Sequence, residues 1–151
     1  MPDEAPAAGW HVVGIGVDLV HVPSFADQLD QPGTRFLSGF TPGERRDARD
    51  RVEARSGADP ARHLAARWAA KEAVIKAWSA SLFGQPPVMD ERVHRLIEVV
   101  ADAWDRPRIG LHGEVAKHLE GHRAEVSLSH DGDYAIAYVV LLRADPGRPV
   151  A

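Results

Sequence analysis

The sequence predicts an α+β single domain in which an antiparallel sheet packs on a long central helix. Three observations carry this. Residues 61–81 are rich in Ala and free of Gly and Pro, a strongly helix-forming composition. Residues 10–20, Trp-His-Val-Val-Gly-Ile-Gly-Val-Asp-Leu-Val, are apolar and β-branched and read as a strand. Residues 125–129 and 134–142 read as two more strands joined through His130-Asp131-Gly132-Asp133, whose Asp-Gly is a strong hairpin signal.

The other elements follow in order. Pro23 can open a short helix through residue 29, and Pro32-Gly33 breaks it. Thr41-Pro42-Gly43-Glu44 has the spacing of a capping box with Pro at the first helical position, so a helix runs on toward residue 53. The cluster at residues 56–60 separates it from the central helix, which ends in a proline-rich loop at residues 84–87. Residues 96–101 and 107–111 read as strands around an Asp105-Arg106-Pro107 turn, with a short helix at 114–119. No repeat and no second domain is visible. The domain spans residues 10–143, with flexible termini expected at 1–9 and 144–151.

Composition excludes several classes. At 151 residues the chain is long enough to bury a core. A net charge of −4 and the lack of any dense Lys/Arg run argue against nucleic-acid binding by bulk electrostatics. With no cysteine there is no disulfide, thiolate zinc site or cysteine nucleophile, which fits a cytoplasmic location. No apolar run approaches the roughly 20 residues that span a bilayer, and the acidic start lacks the features of a signal peptide.

The richest stretch is Arg67-Trp-Ala-Ala-Lys-Glu72-Ala-Val-Ile-Lys76-Ala-Trp78. At about 100° per residue, Trp68, Glu72 and Lys76 share one helical stripe. Alone, such a Glu–Lys spacing describes many exposed ion pairs. Asp18 gives it weight. In the first strand Ile15, Val17 and Leu19 point one way while Gly14, Gly16 and Asp18 point the other, so the acid stands beside backbone bare of side chains. Glycine there marks the close approach of a ligand or of another backbone. A carboxylate beside such a clearing suits Mg²⁺, which takes one or two carboxylates and fills its shell with water and phosphate oxygens. Gly-Ile-Gly is no dinucleotide fingerprint, because the third glycine would fall at Leu19. His130 and its two acids are explained by the turn better than by a metal, and Trp68 and Trp78 read as core or interface aromatics.

Three ordered segments, Gly14-Ile-Gly-Val-Asp18-Leu-Val, the Arg67–Ala77 helix and Val126-Ser-Leu-Ser-His130, make the chain resemble the holo-acyl-carrier-protein synthases, the small trimeric class of 4'-phosphopantetheinyl transferases. The resemblance implies a 4'-phosphopantetheinyl transferase-like homotrimer with pockets between subunits. It implies transfer of phosphopantetheine from coenzyme A to a serine of an acyl carrier protein, or of a carrier domain of a fatty acid synthase. Asp18 and Glu72 would hold Mg²⁺. Lys76 would pair with the diphosphate or protonate the departing oxygen, and Glu72 or a water on the cation would take the serine proton. Arg67, Ser129 and His130 would hold the nucleotide phosphates. Arg67 projects about 140° away from Glu72 around the helix, so it is either a plain surface or packing charge or evidence that the helix lines two pockets.

Two alternatives stay open: a metal-dependent phosphohydrolase of coenzyme A-like diphosphates, and a non-catalytic coenzyme A-binding assembly module. One departure from the resemblance concerns the carrier. Residues 23–31 contain Asp27 and Asp30 but no Lys or Arg, which shifts electrostatic docking of an acidic partner to Arg45, Arg46 and Arg49. If those arginines are merely solvated, Phe25, Leu29 and Phe36 become the docking candidates, and the loop at residues 83–90 is a further specificity candidate.

Overall fold

The central helix sets the geometry. In the computed structural model, which describes residues 9–89 and 92–146, Asp59 caps this helix by accepting the Ala61 N–H at 2.9 Å, with Pro60 at its first position. The elements, in chain order, are β1 (Trp10–His21), α1 (Val22–Asp30), α2 (Pro42–Ala54), α3 (Pro60–Ser81), β2 (Ile97–Ala101), β3 (Pro107–Leu111), α4 (Gly113–His118), β4 (His122–Asp131) and β5 (Tyr134–Ala144). Strands β1, β5 and β4 form an antiparallel sheet with β5 in the centre, and β2 and β3 form a separate hairpin. This is the α+β architecture expected.

α3 lies against one face of the sheet because both surfaces are nearly bare. Ala69, Ala73 and Ala77 of the helix and Ala135 and Ala137 of β5 are fully buried there. A Cβ placed on Gly14 would overlap the carbonyl oxygen of Ala77, and one on Gly16 the carbonyl oxygen of Ala73. The glycine strip is therefore the seat of the α3 backbone rather than a ligand clearing, and it brings Asp18, two residues further along the same face, to the helix edge.

The opposite face of the sheet is apolar and open. Ile15, Val17 and Leu19 are 52, 49 and 59% exposed, and Ile136 and Tyr138 beside them on β5 are exposed as well. Alternation along β1 is as read from the sequence. The side that carries its larger apolar residues is the one that no element among the described residues covers.

Two of the sequence expectations concern ends and turns. β4 and β5 pair through Asp131 and Tyr134, so the two-residue loop is Gly132-Asp133, with the positive φ of 53° falling on Gly132. β5 runs to Ala144, and the Asp145 N–H donates to the Gly9 carbonyl at 3.0 Å, so pairing extends past residue 143. Of the flexible termini expected at residues 1–9 and 144–151, residues 1–8 and 147–151 lie outside the described residues, as do Asp90 and Glu91 of the loop after α3.

α2 forms as the capping box dictates. The Thr41 hydroxyl accepts the Glu44 N–H at 3.2 Å while Glu44 Oε2 accepts the Thr41 N–H at 2.8 Å. Glu44 does more than cap. It is 2% exposed, its Oε1 accepts the Val99 N–H at 2.8 Å, and Oε2 pairs with Lys71 Nζ at 2.9 Å. Lys71, fully buried on α3, also donates to the carbonyls of His94 (2.9 Å) and Ile97. A buried charge pair is retained only when its other lone pairs and protons are satisfied, and here that requirement ties α2, α3 and β2 together. Phe25, Phe36, Phe40 and Trp68 pack beside it as an aromatic cluster. Phe25 is 3% exposed and so is not available for docking a partner.

Candidate active site

α3 presents different chemistry on its two sides. On one side Lys76 Nζ reaches across to β1, pairing with Asp18 Oδ1 at 2.8 Å and donating to the Val17 carbonyl at 3.0 Å. One turn back, Glu72 Oε1 accepts a hydrogen bond from His94 Nε2 at 2.7 Å. That bond holds the Glu72 carboxyl below the usual carboxylate range, with a further contribution from the Lys76 charge, against the opposing effect of burial. A cleft of about 430 Å³ opens beside Glu72 and His94, lined with apolar side chains from Ile75 to Val93.

The other side of the helix faces a larger cleft of about 680 Å³, lined by Arg51, Arg55, Arg62, Arg67, Ser129 and His130 among others. Arg67 is 4% exposed; one terminal nitrogen pairs with Asp47 and the other contacts His63 Nδ1 at 3.2 Å. Its Nε is buried without a hydrogen-bond partner among the described residues. An unpaired buried guanidinium N–H costs free energy unless an acceptor reaches it. α3 borders both clefts, and Arg67, at the wall of the second, is a buried charge paired with Asp47. Glu72, Asp18 and Lys76 gather on one side, and Arg67, Ser129 and His130 on the other.

His63 and Asp47, which carry no signal of their own in the sequence, hold Arg67 in place. His63 Nε2 lies 3.2 Å from Asp47, so a neutral imidazole donates to the carboxylate and accepts from the guanidinium. Burial, and next the Arg67 charge, push the His63 pKa down to about 4 from 6.5. The unfolded chain then binds a proton that the folded chain refuses, so stability should decline as pH falls from 6.5 toward 4. Urea midpoints measured across that range should show the slope in the wild type and a flatter one in His63→Gln. An identical slope in the variant would assign the dependence to other groups.

An α+β domain with carboxylates and an ammonium on one side of a helix and arginines on the other carries the donor set of a phosphate-ester enzyme. The chain belongs to the 4'-phosphopantetheinyl transferase superfamily, whose sequence model matches residues 14–139. It is 60% identical over 130 residues to the holo-[acyl-carrier-protein] synthase of Mycobacterium ulcerans strain Agy99, covering 86% of this chain and 96% of that protein. Its fold is similar to the acyl carrier protein synthase structure of Mycobacterium tuberculosis, with a TM-score of 0.72 and 50% identity over 89% of this chain and all of that one. It is also similar to a Chronobacterium ammoniagenes synthase solved as a complex with CoA, with a TM-score of 0.77 and 43% identity over 91% of this chain and 98% of that one. Among the described residues no helix is long and apolar enough to cross a membrane.

Proposed function

We propose that this protein transfers the 4'-phosphopantetheine arm of coenzyme A to a serine of an acyl carrier protein or carrier domain, in the cytoplasm and in fatty acid biosynthesis. The serine oxygen bonds to the β-phosphorus and the diphosphate bridge breaks. Adenosine 3',5'-bisphosphate leaves. The observation that carries this reading is the division of labour across α3, with Asp18, Glu72 and Lys76 on one side and a cleft lined by Arg51, Arg55, Arg62 and Arg67 on the other.

The two carboxylates fit Mg²⁺. No group of three or more His, Cys, Asp or Glu suited to a metal occurs among the described residues. Asp18 and Glu72 would instead serve a cation that takes two carboxylates and completes its shell with water and phosphate oxygens. Bound there, Mg²⁺ supplies charge neutralisation on the diphosphate as the bond to the leaving group lengthens. Lys76, about half exposed at the Asp18 carboxylate, pairs with the diphosphate oxygens or protonates the departing one. The lowered pKa of Glu72 makes it a weak base and a good anionic ligand. Either Glu72 or a water in the site takes the serine proton. Arg67, Ser129 and His130 hold the nucleotide phosphates and so fix the position of the β-phosphorus.

The uncovered apolar face of β1 and β5 supports a homotrimer, because its exposed Ile, Val, Leu and Tyr side chains are buried when copies pack on one another. In that assembly the Arg67 cleft of one chain and the Glu72 side of its neighbour form one site. Incubation with Mg²⁺, coenzyme A and an unmodified carrier, followed by intact-mass measurement of the carrier, tests the reaction. Addition of one phosphopantetheine mass is the expected result. Release of free phosphopantetheine with the carrier unchanged would indicate a phosphohydrolase, and coenzyme A binding without either product a binding module.

Carrier docking falls to α2. Asp27 and Asp30 are exposed on α1, whereas Arg45, Arg46 and Arg49 are exposed on α2. Arg45 also donates to the Phe40 carbonyl at 3.2 and 3.3 Å, which ties it to the start of the helix. Reversing Arg46 and Arg49 to Glu should raise the KM for the carrier by roughly tenfold through lost steering, with little change in the KM for coenzyme A. Equal carrier kinetics in the double variant would shift docking to apolar contacts such as Leu29 and Phe36.

A further inference from the structure

His94 lies in the short 3₁₀ turn before β2, 22 residues from Glu72, and three separate contacts fix it. Its ring stacks on Trp68 with centroids 4.3 Å apart and planes 6° from parallel. Its backbone carbonyl accepts from the buried Lys71 ammonium at 2.9 Å. Its Nε2 meets Glu72 Oε1 at 2.7 Å. Trp68 and Glu72 stand one turn apart on α3, so the indole makes a floor and the carboxylate a wall, and the imidazole fits the corner between them. Gly39 closes the opposite side, where a Cβ would come within 2.8 Å of the Trp68 ring and 3.3 Å of the His94 Cβ. A ring held on its face, its backbone and its edge has little freedom to turn. The direction of its N–H is set before any ligand arrives.

We infer that His94 is a positioning residue that holds the Glu72 carboxylate by one oxygen and presents the other, Oε2, to the cation. This rests on the reading of Asp18 and Glu72 as the Mg²⁺ ligands. A group that fixes the orientation of a ligating carboxylate typically changes metal affinity by 10–100-fold when it is lost. A filler role for the same ring is the competing account, since the Trp68 stack would be satisfied by any flat side chain of similar size. Two substitutions separate the roles. His94→Phe keeps the stack and removes the donor, while His94→Gln keeps a donor and loses the aromatic ring.

The experiment titrates Mn²⁺ into the protein with coenzyme A present and reads free Mn²⁺ by its EPR signal, alongside thermal unfolding of each variant. Wild type should bind Mn²⁺, Glu72→Gln should lose that binding, and His94→Phe should bind about tenfold more weakly or worse. His94→Gln should recover part of the difference even if it is the less stable of the two. If Glu72→Gln binds as tightly as wild type, or wild type does not bind, the metal reading fails and this inference with it. If Glu72→Gln loses binding while His94→Phe keeps wild-type affinity, the metal reading stands and His94 is a filler. A fall in melting temperature in His94→Phe with unchanged Mn²⁺ affinity would likewise overturn the positioning role.

Discussion

Replacing Asp18 or Glu72 by Ala is expected to lower phosphopantetheine transfer by roughly a thousandfold or more, because each loss takes several kcal/mol of charge stabilisation from the diphosphate as it breaks. Neither residue is part of the core. Among the described residues the Asp18 side chain pairs with Lys76 at the sheet edge, and Glu72 is partly exposed beside a cleft, so both variants should fold and keep the wild-type oligomeric state. Asp18→Asn and Glu72→Gln preserve shape while removing charge and should be nearly as inactive. A chelator should reproduce the defect in wild type. Full activity of either alanine variant at unchanged Mg²⁺ would place the cation elsewhere.

The second large effect concerns the glycine strip. Gly16→Ala is expected to destabilise the fold by about 3 kcal/mol or more, since the new Cβ meets the carbonyl oxygen and carbonyl carbon of Ala73 and the amide nitrogen of Ala77. These are backbone atoms of a hydrogen-bonded helix and cannot rotate aside. For a chain of this size such a loss lowers the melting temperature by roughly 6–12 °C. The same methyl pushes α3 from the sheet and moves Glu72 and Lys76 relative to Asp18, so activity should fall with stability. If the strip were instead a ligand clearing, the variant would keep its melting temperature and lose only coenzyme A affinity. Thermal unfolding and a coenzyme A titration on the same sample distinguish the two.

Local signals were legible and distant ones were not. The α2 start could be read because Thr41, Pro42 and Glu44 act within one turn, and the capping box is formed as spaced. Periodicity likewise puts Glu72 and Lys76 on one stripe of α3 and Asp18 on the glycine face of β1, whereas joining the two elements in one site took the family resemblance. Which face of β1 is covered was beyond reach, since alternation separates two faces without saying what packs on either. Glu44 and Lys71 look like two more helix-surface charges, yet each is buried because the other lies opposite it in the fold. His94 carries no local mark: its value comes from Trp68 and Glu72, more than twenty residues earlier. Asp47 and His63 escaped notice for the same reason, as their link to Arg67 joins α2 to α3.

The proposed shared site requires α3 to serve two sites, one through Arg67 and another through Glu72. Chains carrying Arg67→Ala and chains carrying Glu72→Ala, each inactive alone, can be unfolded, mixed and refolded into verified mixed oligomers. Transfer is then read by the intact mass of the carrier. Recovery of part of the wild-type activity is expected, because some shared sites receive an intact Arg67 from one chain and an intact Glu72 from its neighbour. Mixed oligomers with no activity above either parent would contradict the shared site and return Arg67 to its own chain's pocket or to a structural role.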